Sequence, residues 1–180
     1  RLGERLTSEA YGEAQKLPLR LVLDNIRSGQ NVGACFRSAD AFRIDGLDLC
    51  GITCHPPHRD ILKSALGSSD HVPWRGHDHT LDAVHALKMQ GWKIAAVEQS
   101  TKSVALQEWK PVNQDRWALV LGNEVRGVSA DVLEACDAIY EMPQYGVKQS
   151  INVSVCAGVV LWQAALHLRQ YLEWVKMALL

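Results

Sequence analysis

Three short islands, far apart along the chain, place polar and charged residues at the ends of apolar runs. The first is Asn25-Ile26-Arg27-Ser28-Gly29-Gln30-Asn31-Val32-Gly33-Ala34-Cys35-Phe36-Arg37, between a strand-like and a helix-like run. The second, Leu121-Gly122-Asn123-Glu124-Val125-Arg126-Gly127, follows a strand-like run. The third, Met142-Pro143 with Gln149-Ser150-Ile151-Asn152-Val153-Ser154, opens the last helix. Arginine clamps anions, and a carboxylate accepts hydrogen bonds or balances a cation. Loops at the carboxyl ends of strands in an α/β sheet surround one crevice where ligands bind. The islands therefore point to one composite site.

Each island also has an ordinary explanation. Gly29 and Gly33 bracket a strand-to-helix turn that Asn31 can cap. The spaced glycines are similar to a nucleotide-binding turn, but the full G-x-G-x-x-G is absent. Arg37, one and a half turns into the helix, is left unexplained by either. Gly122, directly after a buried strand, lets a ligand approach the backbone. Glu124 balances a cation such as Arg37, or is simply solvated at a strand-ending turn. Ser150 can cap the last helix, with Asn152 in its first turn.

The elements that must position these islands alternate between strand and helix. Strands are expected at 19–23, 47–53, 93–97, 117–121 and 138–142. Cys35, Phe36, Ala39 and Phe42 recur at helical spacing, and further helices are expected from Thr80 to Gly91, from Ser129 to Cys136 and from Ile151 to Leu172. Residues 55–76 read as loop with a weak segment near 61–66. This is an α/β pattern with a mostly parallel sheet and helices on both faces. Residues 1–18 form a short polar arm without a strong apolar face, and 19–180 the main domain.

With 180 residues, 47% hydrophobic and 22% charged, the chain can bury one core, and wholesale disorder is excluded. A net charge of −1 supplies no global field to steer a phosphate backbone, so any RNA contact must rest on a local patch. Five cysteines without a CxxC pair or a secretory segment fit a reducing, cytoplasmic compartment. No apolar run is long enough to span a bilayer. The chain begins at Arg1 rather than Met, so a trimmed natural start is expected.

Taken together and in order, the islands resemble the signature motifs of the SpoU/TrmH group of RNA ribose 2′-O-methyltransferases, in the SPOUT superfamily. Asn31, Gly33 and Arg37 match its Asn-x-Gly-x-x-x-Arg motif. Gly122, Glu124 and Gly127 match Gly-x-Glu-x-x-Gly. Pro143 and Ser150-Ile151-Asn152-Val153-Ser154 match the third motif, with Ile151 for the usual leucine. The resemblance runs from about Leu19 to Leu166. It implies a C-terminal deep trefoil knot, which periodicity alone could never show. It implies S-adenosylmethionine as cofactor, contacted by Val97 and Gln99, by Leu121, Gly122, Asn123 and Gly127, and by Met142, Pro143, Ser150 and Ile151. It also implies a homodimer through the last helix, with the site completed across it, and tRNA or rRNA as substrate. Gln149 leans toward the tRNA-type members. Catalysis would fall to Arg37, with Asn31 holding Arg37 or the ribose, Glu124 orienting Arg37 or binding RNA, and Ser150 and Asn152 shaping the ribose and methionine ends of the site. Val97-Glu98-Gln99-Ser100 departs from the family by being more polar.

Other features read as structural. Cys50 and Cys54 share strand parity as small core residues, so no metal site is assigned. Trp74 is the best candidate for stacking on a base. Arg1, Arg5, Lys16, Arg20 and Arg27 give the arm a basic edge. Two alternatives remain: a non-catalytic RNA-binding protein on the same fold, and a nicotinamide-dependent oxidoreductase built on the Gly29–Gly33 turn.

Overall fold

The computed structural model describes residues 6–112, 115–148 and 150–178, with 169–178 as backbone alone. Arg1, Arg5 and Gln149 lie outside the described residues. In chain order the elements are α1 (Ser8–Glu13), β1 (Leu17–Asp24), α2 (Gly29–Phe42), β2 (Ile44–Cys50), α3 (Arg59–Ala65), β3 (Trp74–His77), α4 (Thr80–Met89), β4 (Trp92–Val97), β5 (Val104–Ala105), β6 (Arg116–Leu121), α5 (Ala130–Ala135), β7 (Ala138–Glu141) and α6 (Val153–Ala178).

The seven strands form one sheet in the order β3-β2-β1-β6-β4-β7-β5, and every pairing is parallel. Alternate residues of β1 enter two cores. Leu19, Leu21 and Leu23 pack with Val32, Phe36, Ile61 and Leu161 from α2, α3 and α6. Val22 packs with Val84, Leu87 and Val132 from α4 and α5. Helices thus cover both faces, which is why the central strands read as continuous apolar runs. The strand order reverses between β1 and β6, and the loops leaving these two strands carry the first and second islands. A switch point of this kind opens a crevice at the carboxyl ends of the strands.

Several local expectations change. β2 ends at Cys50, so the parity argument for Cys54 fails; Cys54 lies in the following loop, against Gly29. The stretch expected to be loop contains α3 and the edge strand β3, whose four residues are too exposed to show an apolar pattern. Thr80 opens α4 instead of capping it, and its hydroxyl donates to the buried Asp24 carboxylate at 2.5 Å. The arm does dock: Tyr11 of α1 is buried and meets the His71 ring edge-on at 4.7 Å. Arg20 gives no basic edge. It is 3% exposed on β1, donating to Asp48 at 2.7 Å and Asp45 at 2.6 Å.

Candidate active site

The turn after β1 is built around a serine. Ser28 caps α2, its hydroxyl accepting from the Asn31 N–H at 3.3 Å. Asn31 is therefore not the cap, and its side chain is free to bond elsewhere. Gly29 and Gly33 face α3. A Cβ on Gly33 would lie 2.0 Å from Ser64 Oγ and 2.6 Å from the Ile61 carbonyl. The glycine spacing serves close helix packing, and the nicotinamide alternative loses the turn on which it rested.

The loop after β6 folds back on itself. Asn123 and Gly127 exchange backbone hydrogen bonds of 3.1 and 2.8 Å. Asn123 Oδ1 accepts from the N–H groups of Val125 and Arg126, and its Nδ2 donates to the Asn25 carbonyl at 2.7 Å. Gly127 has φ of +69°, and a Cβ on Gly122 would stand 2.3 Å from Gly127 C. Both glycines are required by the return of the chain itself.

Three islands meet in one hydrogen-bond relay. Glu124 accepts from the N–H groups of Arg27 at 3.0 Å and Ser28 at 3.2 Å, and from Asn31 Nδ2 at 3.1 Å. Asn31 Oδ1 accepts from Asn152 Nδ2 at 3.0 Å. Asn152 Oδ1 accepts from the N–H and hydroxyl of Ser154 at 2.8 and 2.6 Å. Its carbonyl accepts the first bond of α6, from Cys156. Asn152 is thus the helix cap, a place the sequence assigned to Ser150. Partial burial alone would raise the Glu124 carboxyl. The bonds from Arg27, its own backbone, Asn31 and Ser28 outweigh it and hold the pKa below the ordinary glutamate value.

Beside this relay lies a cavity of about 550 Å³, a volume typical of small-molecule sites. Its wall includes Val97, Gln99, Leu121, Gly122, Asn123, Gly127, Met142, Ser150 and Ile151, together with Glu124 and Asn152. Pro143 and Arg37 are not part of that wall.

A family model described as the SpoU rRNA Methylase family matches residues 18–162. The chain belongs to this family. It is 30% identical over 152 residues to a tRNA (guanosine(18)-2′-O)-methyltransferase of Borreliella burgdorferi, covering 84% of this chain and 68% of that one. It is 33% identical over 144 residues to a 23S rRNA (guanosine-2′-O-)-methyltransferase of Neisseria meningitidis serogroup B, covering 80% and 56%. Among solved structures, an AdoMet-bound rRNA methyltransferase from Sinorhizobium meliloti superposes with a TM-score of 0.77 at 25% identity, over 88% of this chain and 60% of that one. A TrmH/SpoU tRNA modifying enzyme from A. aeolicus superposes with a TM-score of 0.76 at 28% identity, over 91% and 81%. The chain thus spans little more than half the length of some relatives.

In this SpoU chain the relay does not reach Arg37. The oxygens of Glu124 are occupied by the Arg27 and Ser28 N–H groups just before α2 and by Asn31, and Asn31 is occupied by Glu124 and Asn152. Of the roles expected for these two residues, a direct contact with Arg37 is not made within one subunit. Arg37 is exposed and has no hydrogen bond or ion pair among the described residues. It lies on a stripe of α2 with exposed Gln30 and Ala41, next to the side of the helix where Ser38 faces Gly158 of α6.

Three more residues of the cavity wall bear on its chemistry: Glu98, which the sequence reading placed in a polar stretch of that wall, and Glu141 and Cys156, which it missed. Glu98 accepts from the Val128 and Gln99 N–H groups, each at 2.9 Å. Glu141 accepts from the Ser103 hydroxyl at 2.5 Å. Both directly follow or end a strand that points at the crevice, which was the available signal. Cys156 lies one helical turn beyond Asn152, and burial, then Glu98, pushes its thiol up to about 11. It stays protonated at neutral pH and is a poor nucleophile. With Glu98, Glu124 and Glu141 against Arg126, the wall favours a ligand carrying positive charge.

Proposed function

We propose that this chain is an S-adenosylmethionine-dependent methyltransferase acting on a ribose 2′-hydroxyl of tRNA or rRNA. The observation that carries the reading is the relay Glu124–Asn31–Asn152, which brings the three family motifs together at the mouth of one cavity. The wall fits the cofactor in size and charge: backbone at the ends of β4, β6 and β7 forms it, and its surplus of carboxylates suits a sulfonium. Val97, Gln99, Leu121, Gly122, Asn123, Gly127, Met142, Ser150 and Ile151 would hold S-adenosylmethionine. Bound there, S-adenosylmethionine supplies an electrophilic methyl group.

The protein's own contribution is placement and charge. A ribose hydroxyl is a poor nucleophile until its developing negative charge is balanced. Arg37 is that balance, and it also clamps the adjacent phosphate. Guanidinium remains protonated in proteins, so Arg37 balances charge without acting as base, and the hydroxyl proton leaves to water late, as the O–C bond forms. The relay holds the start of α2, and with it the register of Arg37, against the cavity loops.

Arg37 lies outside its own cavity, which supports a site completed by a second copy of the chain. Ile151, Val155, Val159, Trp162 and Leu166 make an exposed apolar stripe along the start of α6, and Trp162 meets Phe42 of α2 with ring centroids 6.3 Å apart. Pairing through this stripe would bring Arg37 into the dimer interface, within reach of the facing cavity. The C-terminal trefoil knot belongs to the same proposal; the insertion of β7 between β4 and β5 is compatible with it. So does the division into an arm at 1–18 and a catalytic domain at 19–180.

Titration with S-adenosylhomocysteine and, separately, NAD tests the cofactor assignment; binding of NAD alone would reverse it. Mapping ribose methylation in total RNA from cells with and without the gene identifies the substrate. Loss of one or more 2′-O-methyl positions supports the proposal, and an unchanged map rejects it.

A further inference from the structure

We propose that the face made by the turn after β1, the loop between β2 and α3, and α3 itself is the track along which the substrate RNA leaves the cavity. The inference rests on the reading of the chain as an RNA-modifying enzyme and adds where the polymer lies. The lysine and arginine ion pairs among the described residues lie in the body of the strands or toward their amino ends, away from the crevice. Arg20 pairs with Asp45 and Asp48 in the first halves or middle of β1 and β2, Lys88 with Asp137 just before β7, and Lys93 of early β4 with Asp115 just before β6. Arg27, Arg59 and Lys63 are exposed and, like Arg37, Arg75, Lys102, Lys110, Arg126 and Lys148, pair with no carboxylate among the described residues; what sets them apart is their place together beyond the carboxyl ends of β1 and β2.

These three cations share one surface. The Ile26 N–H donates to Thr53 Oγ1 at 2.9 Å and the Ile52 N–H to Asn25 Oδ1 at 3.1 Å, stitching the β1 turn to the loop that leads into α3. A Cβ on Gly29 would lie 3.0 Å from both Asp60 Cβ and His58 Nδ1. Arg59 opens α3 and Lys63 follows one turn later. The track begins at the cavity, because the Arg27 N–H is bonded to Glu124. Beside it, the exposed His55 ring tilts over Trp74 with centroids 5.5 Å apart, offering an aromatic surface to an unstacked base. Unpaired cations next to an aromatic pair suit alternating phosphates and bases better than an acidic protein surface. The overall charge of −1 makes such a local arrangement necessary.

Each phosphate neutralised by one of these side chains releases a condensed counterion, so its contribution is visible in salt dependence. For single strands the slope of log K against log salt is about −0.7 per contact. The test measures binding of a short fluorescent single-stranded RNA of mixed sequence across a salt series. Wild type, Arg59→Ala/Lys63→Ala, Arg27→Ala and, as a control at the amino ends of the strands, Lys88→Ala/Lys93→Ala are compared. The Arg59/Lys63 pair is expected to flatten the slope by about 1.4 and Arg27→Ala by about 0.7. The control should match wild type. Calorimetric titration with S-adenosylmethionine on the same samples confirms folding. Unchanged slopes in both track variants, or equal flattening in the control, would overturn the track. So would a changed sedimentation coefficient in the Arg59/Lys63 variant with RNA affinity retained, which would make this face a protein contact. Failure of wild type to bind S-adenosylmethionine would instead reject the methyltransferase reading, with the slopes still deciding the track.

Discussion

Replacing Glu124 by Gln removes one charge and almost no volume, and its consequence can be worked from three hydrogen bonds. Oε1 accepts from Ser28 N and Asn31 Nδ2, and Oε2 from Arg27 N. A glutamine has one acceptor oxygen. In one orientation it keeps two bonds and turns its NH2 toward the Arg27 N–H, donor against donor; in the other it keeps one. Hydrogen bonds to a carboxylate contribute about 1.5–3 kcal/mol when shielded. Glu124 is exposed, so screening reduces this, and a loss of ~1–2 kcal/mol is expected. Urea unfolding should show a lower midpoint at unchanged slope. The pH dependence has a definite sign. Because the folded carboxyl is held below the ordinary glutamate value, its stabilisation is complete above that value and is lost as pH falls through the folded pKa. The gap between wild type and Glu124→Gln should therefore be constant near neutrality and close in acid. An equal midpoint at pH 7, with methyl transfer intact, would refute the role of Glu124 as the clamp between the β6 loop and α2.

Other substitutions address the remaining supports. Gly33→Ala drives a methyl into Ser64 Oγ and the Ile61 carbonyl, and overpacking of this kind costs about 1–3 kcal/mol; thermal unfolding should register it. Trp162→Glu places a charge in the apolar stripe of α6, and sedimentation should show monomers that have lost methyl transfer but not their fold. Glu98→Gln removes a negative charge from the cavity wall, and calorimetry should show S-adenosylmethionine weakened more than the uncharged-sulfur product S-adenosylhomocysteine.

The order and alternation of strands were legible because both faces of the sheet are covered, so central strands such as Trp117–Leu121 carry unbroken apolar runs. β3 was not, because an edge strand with exposed Arg75 and Gly76 has no such run. α3 escaped because seven residues flanked by prolines give too little periodicity. The three motifs led to many of the residues that line the cavity, but Arg37 and Pro143 lie outside its wall and the wiring did not follow. Which of Ser28 and Asn31, or Ser150 and Asn152, becomes the cap depends on where a helix starts within a residue or two, and spacing does not resolve that. Glycines at 29 and 33 suggested a ligand turn, yet they answer to α3, a partner that sequence reasoning saw only as a weak segment near 61–66. Glu98 already belonged to the polar stretch expected in the wall, whereas Glu141 became visible as a wall residue only once β7 was seen to end at the same cavity.

The central claim is that the cavity and Arg37 together move a methyl group to a ribose oxygen. Label transfer from methyl-labelled S-adenosylmethionine to RNA, followed by alkaline hydrolysis, tests it most directly. A 2′-O-methyl group blocks attack on the neighbouring phosphodiester, so the label should appear in alkali-resistant dinucleotides. Arg37→Ala should abolish it while S-adenosylmethionine still binds. Label recovered in mononucleotides on a base, or full transfer by Arg37→Ala, would contradict the account.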